Sequence, residues 1–586
     1  MSSVVSLVDA ARASLTWDET RARFGAKGGG LVEATRLGCP VPPAVLVPVG
    51  GIDRATLRES LAVIERATGL TLDGPRPLCV AVRASSREPR PGALPTVLGA
   101  GASRASLDGL AERLGGRAEA LDCRLRYLRG LLRAQGTAPA SVRGAQRVGA
   151  RPAVAQLERE VEELEGRLGL AGGRDGLEEI AVALAAVSAA APGEPVVLQA
   201  MVYGNSARGV SGAGTASSRH PIHGDPILFG ELAWGAQGED LSLGRGGGVA
   251  LRAGAAGRRA EESLEQRAPA VFHALDTLLA DLERRLDVVV DAEFVVEDGT
   301  LYLLQLRPSV LTPRAEIRVA VDWVGEGRIT REAALARVQV TSLARIGRLE
   351  LLDEPSLVRA GCTILGRGLG ASPGAATGHL ALDVDDALRR AAAGEPVVFV
   401  RSDASPEDAP AVRAAVGVAT ASGGLTSHAA VMSRALGRPC AVSVSSLRVA
   451  PDHVRVDLGG GRSVRLAPGD VVSVDGGKGL LVAGTAPTRW VADDEAPREL
   501  ARWARAARPR PVLVPAVPGA DPVGRAEALE ADGVWDGHTA TDLSGQVRPD
   551  WVPTRWDGPE APFPREGAVV VPAGLVAAAR LAAIRA

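Results

Sequence analysis

The stretch from Gly423 to Cys440, GGLTSHAAVMSRALGRPC, constrains this chain more than any other, because it places one histidine behind a glycine pair and ahead of a helix-forming run. The glycines permit a tight or left-handed backbone that few other residues adopt. Thr426 or Ser427 is a suitable N-cap, so the pattern predicts a helix that begins at about His428 and ends before the next glycine and proline. The fold must therefore hold His428 at the start of a helix.

A histidine at the start of a helix has a distinctive chemical environment. The first backbone N–H groups of a helix have no partners within it, and together with the helix dipole they favour an anion such as phosphate. A neutral imidazole in this position is suited to carrying a phosphoryl group. The alternative for any single histidine in a helix turn is a capping or packing role without chemistry.

Length and composition limit the class of protein. A chain of 586 residues that is 46% hydrophobic and 23% charged has enough material for three or four globular domains. Its formal net charge of −2 gives no basic field for nucleic acid, and we find no signal peptide and no apolar run that could span a bilayer. The five cysteines show neither C-x-x-C spacing nor a disulfide framework. We therefore expect a cytoplasmic multidomain protein.

Lysine is nearly absent, since the 67 basic residues include only Lys27 and Lys478. An ammonium group is a compact point charge that reaches a phosphate oxygen differently from a planar guanidinium, so a surviving lysine is a candidate for a specific role. Lys27 precedes the glycines 28–30 and a helical pattern, and a glycine-rich turn before a helix can cradle phosphates. Lys478 lies in the turn DGGKG, where an exposed position is the simpler expectation.

A β-hairpin carries the clearest candidate metal site. Two strand-like runs, DVVVDAEFVVE and TLYLLQLR, are joined by an Asp-Gly pair, which predicts a hairpin. Alternation places Asp291 and Glu293 on one side of the first strand, and it places Gln305 and Arg307 on one side of the second. Two carboxylates and an amide oxygen can hold Mg²⁺ bound to phosphates, with the arginine as a phosphate clamp. A solvated face of an exposed hairpin is the alternative.

The histidine segment resembles the swivelling phosphohistidine domain of the phosphoenolpyruvate-utilising enzymes. G-G-x-T-S-H-A-A, followed by a helix and G-x-P-C, carries the resemblance, which extends to ASPGAATG and VRSDASPEDAP upstream and to GDVVSVDGGKG downstream. The resemblance implies that His428 is the phosphorylated residue and that Thr426 belongs to the same catalytic segment.

Segments of the N-terminal half resemble, in the family's order, the ATP-binding domain of pyruvate phosphate dikinase and phosphoenolpyruvate synthase. They are FGAKGGGLVEATRLGCPVPPAVLV, AVRASSREPRPGALPTVLGAG, VVLQAMVYGNSARGVSGAGTASSRHPIHG and GELAWGAQGEDLSLG. The resemblance implies ATP and Mg²⁺ as cofactors. It assigns ATP contacts to Lys27, Arg83, Gly92, Thr96, Gln199, Met201, Val202, Glu239 and Arg307, and magnesium to Asp291, Glu293 and Gln305.

The same resemblance implies an α/β multidomain fold with four regions. They are an ATP-grasp nucleotide-binding domain at 1–310 with a helical insertion at about 102–190, a helical connector at 311–358, a β/α swivelling phosphohistidine domain at 359–485, and a short irregular C-terminal region at 486–586. Within the insertion, residues 154–168 have the spacing of a packed amphipathic helix. In the family a barrel for pyruvate or phosphoenolpyruvate follows the swivel, and such a barrel takes about 250 residues. We therefore expect at most a barrel remnant in the C-terminal region.

The implied activity is that of an ATP-dependent phosphotransferase of the dikinase type. His428 would take a pyrophosphoryl group from Mg-ATP, orthophosphate would take the terminal phosphoryl group, and the remaining phosphate would pass to a small-molecule acceptor. The acceptor in the family is pyruvate. Here we expect either pyruvate bound to a separate barrel protein or another small molecule as the acceptor. No nucleic acid or membrane partner is expected, and the sequence does not decide whether the chain forms a homodimer.

Two alternatives remain at this point. An antibiotic phosphotransferase of the rifampin type shares both modules, but its drug-binding domain would not fit in the short connector. A non-catalytic nucleotide-binding regulator is the other alternative, and the presence of the phosphate-binding residues counts against it. Ala93, Leu94 and Pro95 stand in the phosphate loop where the family favours methionines and an aspartate, which leaves the rate of turnover open.

Overall fold

The computed structural model describes most of the chain, and every structural statement refers to that part. The described residues are 4–50, 52–87, 94–137, 153–170, 173–238, 240, 248–253, 262–338, 348–425, 427–459, 461–491, 495–507, 512–515, 533–535, 540–542, 553–555 and 568–570.

Two antiparallel five-stranded sheets form the N-terminal half. The first sheet has the strand order Val5–Ser6, Ala44–Val47, Val196–Ala200, Val80–Ala84 and Thr96–Ala100. The second sheet has the order Thr300–Pro308, Val290–Glu297, Gly212–Ser217, Phe229–Trp234 and Val249–Ala250. The three central strands of the first sheet are entirely buried, and Arg83 and Gln199 interrupt their otherwise apolar runs.

Helices cover these sheets and also form the segment between the strands Thr96–Ala100 and Val196–Ala200. They are Leu7–Arg12, Trp17–Arg36, Arg54–Thr68, Leu107–Leu114, Arg117–Ala134, Val154–Leu168, Gly176–Ala190, Leu264–Arg267 and Pro269–Leu286. The predicted amphipathic helix is confirmed with the expected bounds, and Leu157, Val161 and Leu164 form its buried stripe. The helices between residues 54 and 190 share one apolar core with the first sheet, so the expected insertion packs directly on that sheet.

A buried arginine holds the insertion helices together. Arg124 is 1% exposed, and its guanidinium donates to Glu165 at 2.9 Å and to Glu179. Burial raises the pKa of the Glu179 carboxyl to about 7, while Arg124 opposes that shift. Removing one partner from a buried ion pair is costly, so the cluster stabilises this arrangement of the helices.

The segment after the second sheet is helical only in part. It contains the helices Pro313–Gly325, Arg331–Arg337 and Glu354–Arg359, and also the strand Arg348–Leu351, which pairs with Thr488–Val491. Lys478 explains why this strand is held in place, because its ammonium group bonds the carbonyl oxygens of Leu351 and Leu352. The expectation of an exposed turn lysine is therefore wrong.

The α/β unit at residues 364–483, which precedes the C-terminal region, contains an eight-stranded sheet. Its order is Ile364–Arg367, Leu480–Ala483, Val471–Asp475, Ala375–Ala381, Val397–Arg401, Gly417–Thr420, Cys440–Val442 and Leu369–Ser372. The helices Val384–Ala392, Ala409–Ala414 and His428–Leu436 connect four parallel central strands, and a small sheet follows with the strands Leu447–Val449, Val454–Gly459 and Arg462–Leu466. Apolar clusters lie on both faces of the large sheet. The predicted mixed α/β character is confirmed.

The C-terminal region is more regular than the sequence analysis predicted. It contains the helix Glu495–Ala507 and a five-stranded sheet of Ala540–Asp542, Gly533–Trp535, Val512–Pro515, Ala568–Val570 and Pro553–Arg555, in that order. Three of its four strand pairings are parallel. The expectation of irregular structure is wrong because these short strands pair over long sequence separations, which local patterns do not reveal. No helix in the described part of the chain has the length and apolar character needed to cross a bilayer.

Candidate functional site

A break in the helix Trp17–Arg36 positions Lys27. Gly25 has φ 72° inside this helix, and a Cβ there would lie 1.9 Å from the carbonyl oxygen of Ser85. The Ser85 hydroxyl accepts from the Gly28 N–H at 3.0 Å, so it holds the helix turn that follows the break. The predicted phosphate-cradling turn at residues 28–30 is wrong, because these glycines are helical and buried. The backbone break comes three residues earlier.

The Lys27 ammonium lies near the phosphate-binding residues predicted from the sequence. Burial lowers its pKa to about 7, Arg83 lowers the pKa as well, and Glu293 opposes both effects. The ammonium makes no hydrogen bond or ion pair with any described residue. A bound phosphate would provide the missing countercharge and favour the charged amine.

Arg83 joins the two N-terminal sheets. Its guanidinium donates to Gln199 Oε1 at 3.2 Å, to the Leu304 carbonyl at 2.8 Å, to Gln305 Oε1 at 3.1 Å and to Glu293 Oε2 at 3.4 Å. Gln199 belongs to the first sheet, whereas the other three acceptors lie on the hairpin of the second sheet. Arg83 therefore ties the predicted nucleotide residues to the predicted metal residues.

The strand that contains Gln199 leads into the predicted adenine side of the cleft. Gln199 is 2% exposed, and its amide nitrogen has no hydrogen-bond partner among the described residues. Met201 and Val202 follow it and are buried, while Thr96 faces Arg83 in the strand register. Buried polar groups are normally paired, so the amide nitrogen of Gln199 is a candidate contact for a ligand.

The predicted hairpin and its alternation are confirmed. Arg307 pairs with Asp291 and Gln305 pairs with Glu293, with a register irregularity just before Gln305. On the neighbouring strand Thr215 faces Glu293, and its buried hydroxyl has no hydrogen-bond partner within the described structure. This row of oxygen ligands suits a magnesium ion.

The proposed magnesium ligands remain a prediction. No group of three or more His, Cys, Asp and Glu side chains in the described ranges is arranged to hold a metal, so the candidate set is two carboxylates and one amide. Arg83 bonds Glu293 and Gln305 directly, and Arg307 lies 3.7 Å from an oxygen of Asp291. The donors fit the chemistry of Mg²⁺ bound to phosphates.

The histidine helix follows the sequence prediction closely. It spans His428–Leu436, the Ser427 hydroxyl caps it by accepting from the Ala430 N–H at 3.5 Å, and Gly437 ends it with φ 62°. Ser427 is thus the N-cap. Thr426, the other candidate, lies outside the described residues, as do the predicted ATP contacts Gly92 and Glu239.

The structure brings His428 within electrostatic range of Arg307 on the hairpin. The ring is half-buried. Burial lowers its pKa below the ordinary value of 6.5, Arg307 lowers the pKa further, and Asp408 opposes both effects. The neutral imidazole is therefore favoured over a wider pH range. Arg307 belongs to the hairpin, so this electrostatic effect links the histidine to the candidate phosphate site.

One cleft joins the second sheet to the histidine helix. Its lining includes Thr215, Asp291, Glu293, Gln305 and Arg307 from the sheet, and Val431 and Arg434 from the helix.

Among the residues that line this cleft, sequence reasoning missed Thr215 and Arg434. It also missed Glu231, whose carboxylate accepts from the backbone N–H of Leu425 at 2.5 Å. Strand alternation could have indicated the face of Thr215. The contact of Glu231 joins a strand of the second sheet to the loop before the histidine helix and has no local signal.

Comparisons with known proteins agree with this geometry. Residues 393–479 match the family model of the PEP-utilising enzyme mobile domain. Pyruvate, phosphate dikinase of Rhizobium meliloti is 32% identical over 525 residues, which cover 80% of this chain and 56% of that protein. The Clostridium symbiosum protein of the same name is 28% identical over 526 residues, covering 80% and 57% respectively. Pyruvate, phosphate dikinase 1 of Arabidopsis thaliana chloroplasts is 29% identical over 510 residues, covering 79% and 51%. The chain spans about half the length of these relatives.

Proposed function

Because this chain belongs to the family of phosphoenolpyruvate-utilising enzymes that includes pyruvate, phosphate dikinase, we propose that it is an ATP-dependent phosphotransferase with His428 as the carrier. The single observation that carries this proposal is the cleft that joins Asp291, Glu293 and Arg307 of the hairpin to the helix that begins at His428. A nucleophile must lie close to the phosphorus atom that it attacks.

The residues of the N-terminal half fit a nucleotide. Lys27 and Arg307 offer positive charge for the phosphates, and Arg83 can exchange its present acceptors for phosphate oxygens. The unpartnered Gln199 amide suits an acceptor on the adenine base. We propose residues 1–310 as an ATP-grasp domain, residues 311–358 as a connector and residues 359–485 as the swivelling domain.

Asp291, Glu293 and Gln305 would hold Mg²⁺ in this proposal. A bound magnesium ion supplies charge neutralisation on the phosphate oxygens. The orphaned hydroxyl of Thr215, which faces Glu293 in the register, supports a ligand at this place.

The first transfer needs a neutral His428. A ring nitrogen with a free lone pair forms a bond to the β-phosphorus of ATP, the bond from that phosphorus to the oxygen bridging the α-phosphate breaks, and AMP leaves with the electron pair. No proton leaves the attacking nitrogen, because its lone pair is already free. The lowered pKa of His428 favours this state.

The second transfer regenerates a singly phosphorylated histidine. Orthophosphate forms a bond to the terminal phosphorus, and the bond from that phosphorus to the oxygen bridging to the histidine-bound phosphorus breaks. Orthophosphate and the terminal phosphoryl group thereby become pyrophosphate, and one phosphoryl group stays on His428. That group then passes to an acceptor, for which pyruvate is the first candidate because the relatives are named for it. The acceptor site is proposed on a separate barrel-domain protein or in residues 486–586.

Labelled ATP tests the proposal. The protein is incubated with Mg²⁺ and ATP labelled at either the β or the γ position, denatured at alkaline pH and then acidified. Both labels are expected on the protein in equal amounts without orthophosphate, and only the β label is expected to remain after orthophosphate is added. No retained label, with an ATP analogue still bound, would favour a nucleotide-binding regulator instead.

A further inference from the structure

We propose that the Thr215 hydroxyl is a further oxygen ligand of the magnesium ion proposed at the hairpin of the second sheet. The inference rests on the proposed function and deepens it, because it assigns one more residue to the metal that would accompany the nucleotide. Thr215 lies in Gly212–Ser217, the central strand of the second sheet. It therefore neighbours the strand that carries Asp291 and Glu293.

Strand register places Thr215 in a row with two of the proposed magnesium ligands. Gln305 pairs with Glu293, and Glu293 pairs with Thr215 on the next strand. Side chains of directly paired residues lie on the same face of a sheet, with their Cβ atoms about 4.5–5.5 Å apart. All three side chains line the same cleft, together with Asp291 and Arg307. The hydroxyl is therefore within reach of an ion that Glu293 would bind.

The fold itself leaves the Thr215 hydroxyl without a partner. The residue is half-buried, and its hydroxyl oxygen is shielded from solvent yet makes no hydrogen bond with any described residue. Glu293 stands opposite Thr215 on one side, but its carboxylate accepts from Arg83. Glu231 stands opposite on the other side and accepts from Leu425. A buried polar group without a partner destabilises a fold, and valine would fill the same space, so the hydroxyl points to a ligand.

Charge explains why a hydroxyl suits this position. Mg²⁺ takes about six oxygen ligands, and the two carboxylates of the hairpin already balance its charge. A third carboxylate would repel the nucleotide phosphates, whereas a hydroxyl adds an oxygen ligand without adding charge. Serine and threonine hydroxyls bind magnesium beside phosphates in P-loop proteins. Two carboxylates, one amide and one hydroxyl would leave the remaining positions of the ion to phosphate oxygens or water.

Manganese binding tests the hydroxyl without relying on catalysis. Mn²⁺ can replace Mg²⁺ at oxygen sites, and electron paramagnetic resonance of free Mn²⁺ measures its affinity for the full chain without nucleotide. Thr215→Val keeps the branched shape but removes the oxygen, so the affinity is expected to fall about tenfold. Thr215→Ser keeps the oxygen and is expected to stay within about threefold of the wild type. Wild-type affinity in Thr215→Val, or a wild type that binds no Mn²⁺, would overturn the proposal.

Thermal unfolding separates a metal ligand from a hydroxyl that only supports the fold. Without metal, Thr215→Val should melt at or above the wild-type temperature, because the change removes a buried polar group that has no partner. When Mn²⁺ is added, the melting temperature should rise less in Thr215→Val than in the wild type, because the variant binds the ion more weakly. A lower melting temperature for metal-free Thr215→Val would show that the hydroxyl is bonded within the fold, and it would contradict the ligand role.

Thr377→Val is the matched control, because Thr377 is also a half-buried threonine in a strand. Its hydroxyl differs from that of Thr215 in having a partner, since it lies 2.7 Å from Ser473 Oγ, and Thr377 does not line the cleft. Thr377→Val should therefore show the opposite pattern. It should melt below the wild-type temperature, because a hydrogen bond is lost, and it should bind Mn²⁺ with wild-type affinity.

Labelling of His428 by ATP separates this inference from the proposed function. Thr215→Val should need about tenfold more Mg²⁺ for half-maximal labelling, and excess Mg²⁺ should restore the wild-type rate. A rate that stays low at saturating Mg²⁺ would assign the hydroxyl to the transferred phosphoryl group and refute the metal role. If Thr215→Val weakens Mn²⁺ binding but the wild type takes no label, the ligand role stands and the phosphotransferase proposal falls. If label forms and both proteins bind Mn²⁺ alike, the reverse holds.

Discussion

The two parts of the molecule that meet at the cleft obtain their chemistry in different ways. On the sheet side, Arg83 connects Gln199 of the first sheet to Glu293 and Gln305 of the hairpin, which lie far from Gln199 in the sequence. On the histidine side, one helix capped by Ser427 supplies the imidazole and the backbone N–H groups beside it. Substitutions on the sheet side should therefore affect stability and ligand binding together, whereas those at the histidine should affect transfer alone.

The largest effect that separates the two parts is expected from His428→Ala. This change should abolish ATP-dependent formation of AMP, while a non-hydrolysable ATP analogue binds within about twofold of the wild type, because the nucleotide contacts come from the sheets. His453→Ala is a control, since His453 bonds Asp452 near the small sheet and does not line the cleft. AMP formed by His428→Ala at the wild-type rate would contradict a role for this imidazole.

Arg83→Met should show the combined effect expected of the sheet side. We expect labelling to fall about 10² to 10³-fold, as when a donor to a reacting oxyanion is removed. The free energy of unfolding should also fall by about 1–3 kcal/mol, because the buried Gln199 oxygen loses its donor. Urea denaturation and single-turnover labelling measure the two effects. Arg54→Met, which changes an exposed arginine, should leave both unchanged.

Asp291→Asn tests whether the sheet side binds the metal. The Mg²⁺ concentration for half-maximal labelling should rise about tenfold or more, since an anionic oxygen ligand is replaced by a neutral amide. A magnesium titration at saturating ATP measures this change. Asp281→Asn, in the helix Pro269–Leu286, is the matched control. An unchanged magnesium requirement in Asp291→Asn would remove this residue from the metal site.

The pH dependence should reveal a smaller effect, in which Arg307 on the sheet side changes the pKa of His428. Burial and Arg307 lower the pKa of His428, so the neutral nucleophile persists below pH 6.5 and labelling should decline only at lower pH. Arg307→Met removes one of the two lowering effects and raises this pKa. The acid limb of the normalised pH–rate profile should therefore move to higher pH. An acid limb that stays in place would show that Arg307 does not act on the imidazole.

The difference between contacts among neighbouring residues and contacts across the fold explains which features the sequence could predict. The helix at His428, its cap and the hairpin of Asp291 and Gln305 depend on neighbouring residues, and their patterns predicted them correctly. The helix break at Gly25 depends on the close approach of Ser85, so local reasoning placed the glycine turn too late.

The contacts that assemble the cleft were less accessible to sequence reasoning. The hydrogen bond from Leu425 to Glu231 connects the loop before the histidine helix to a strand of the second sheet, and no periodicity signals such a contact. The C-terminal sheet was missed for a related reason, since its strands are only three or four residues long and pair across long gaps. Short strands acquire their identity from tertiary pairing.

The most direct measurement is the mass of the tryptic peptide Ala414–Arg434 after incubation of the full chain with Mg-ATP and digestion at alkaline pH. This peptide contains His428 and no other histidine. We expect it to gain two phosphoryl groups without orthophosphate and one with orthophosphate, and to lose them in acid. A peptide that keeps its unmodified mass while ATP is consumed to AMP would contradict His428 as the carrier.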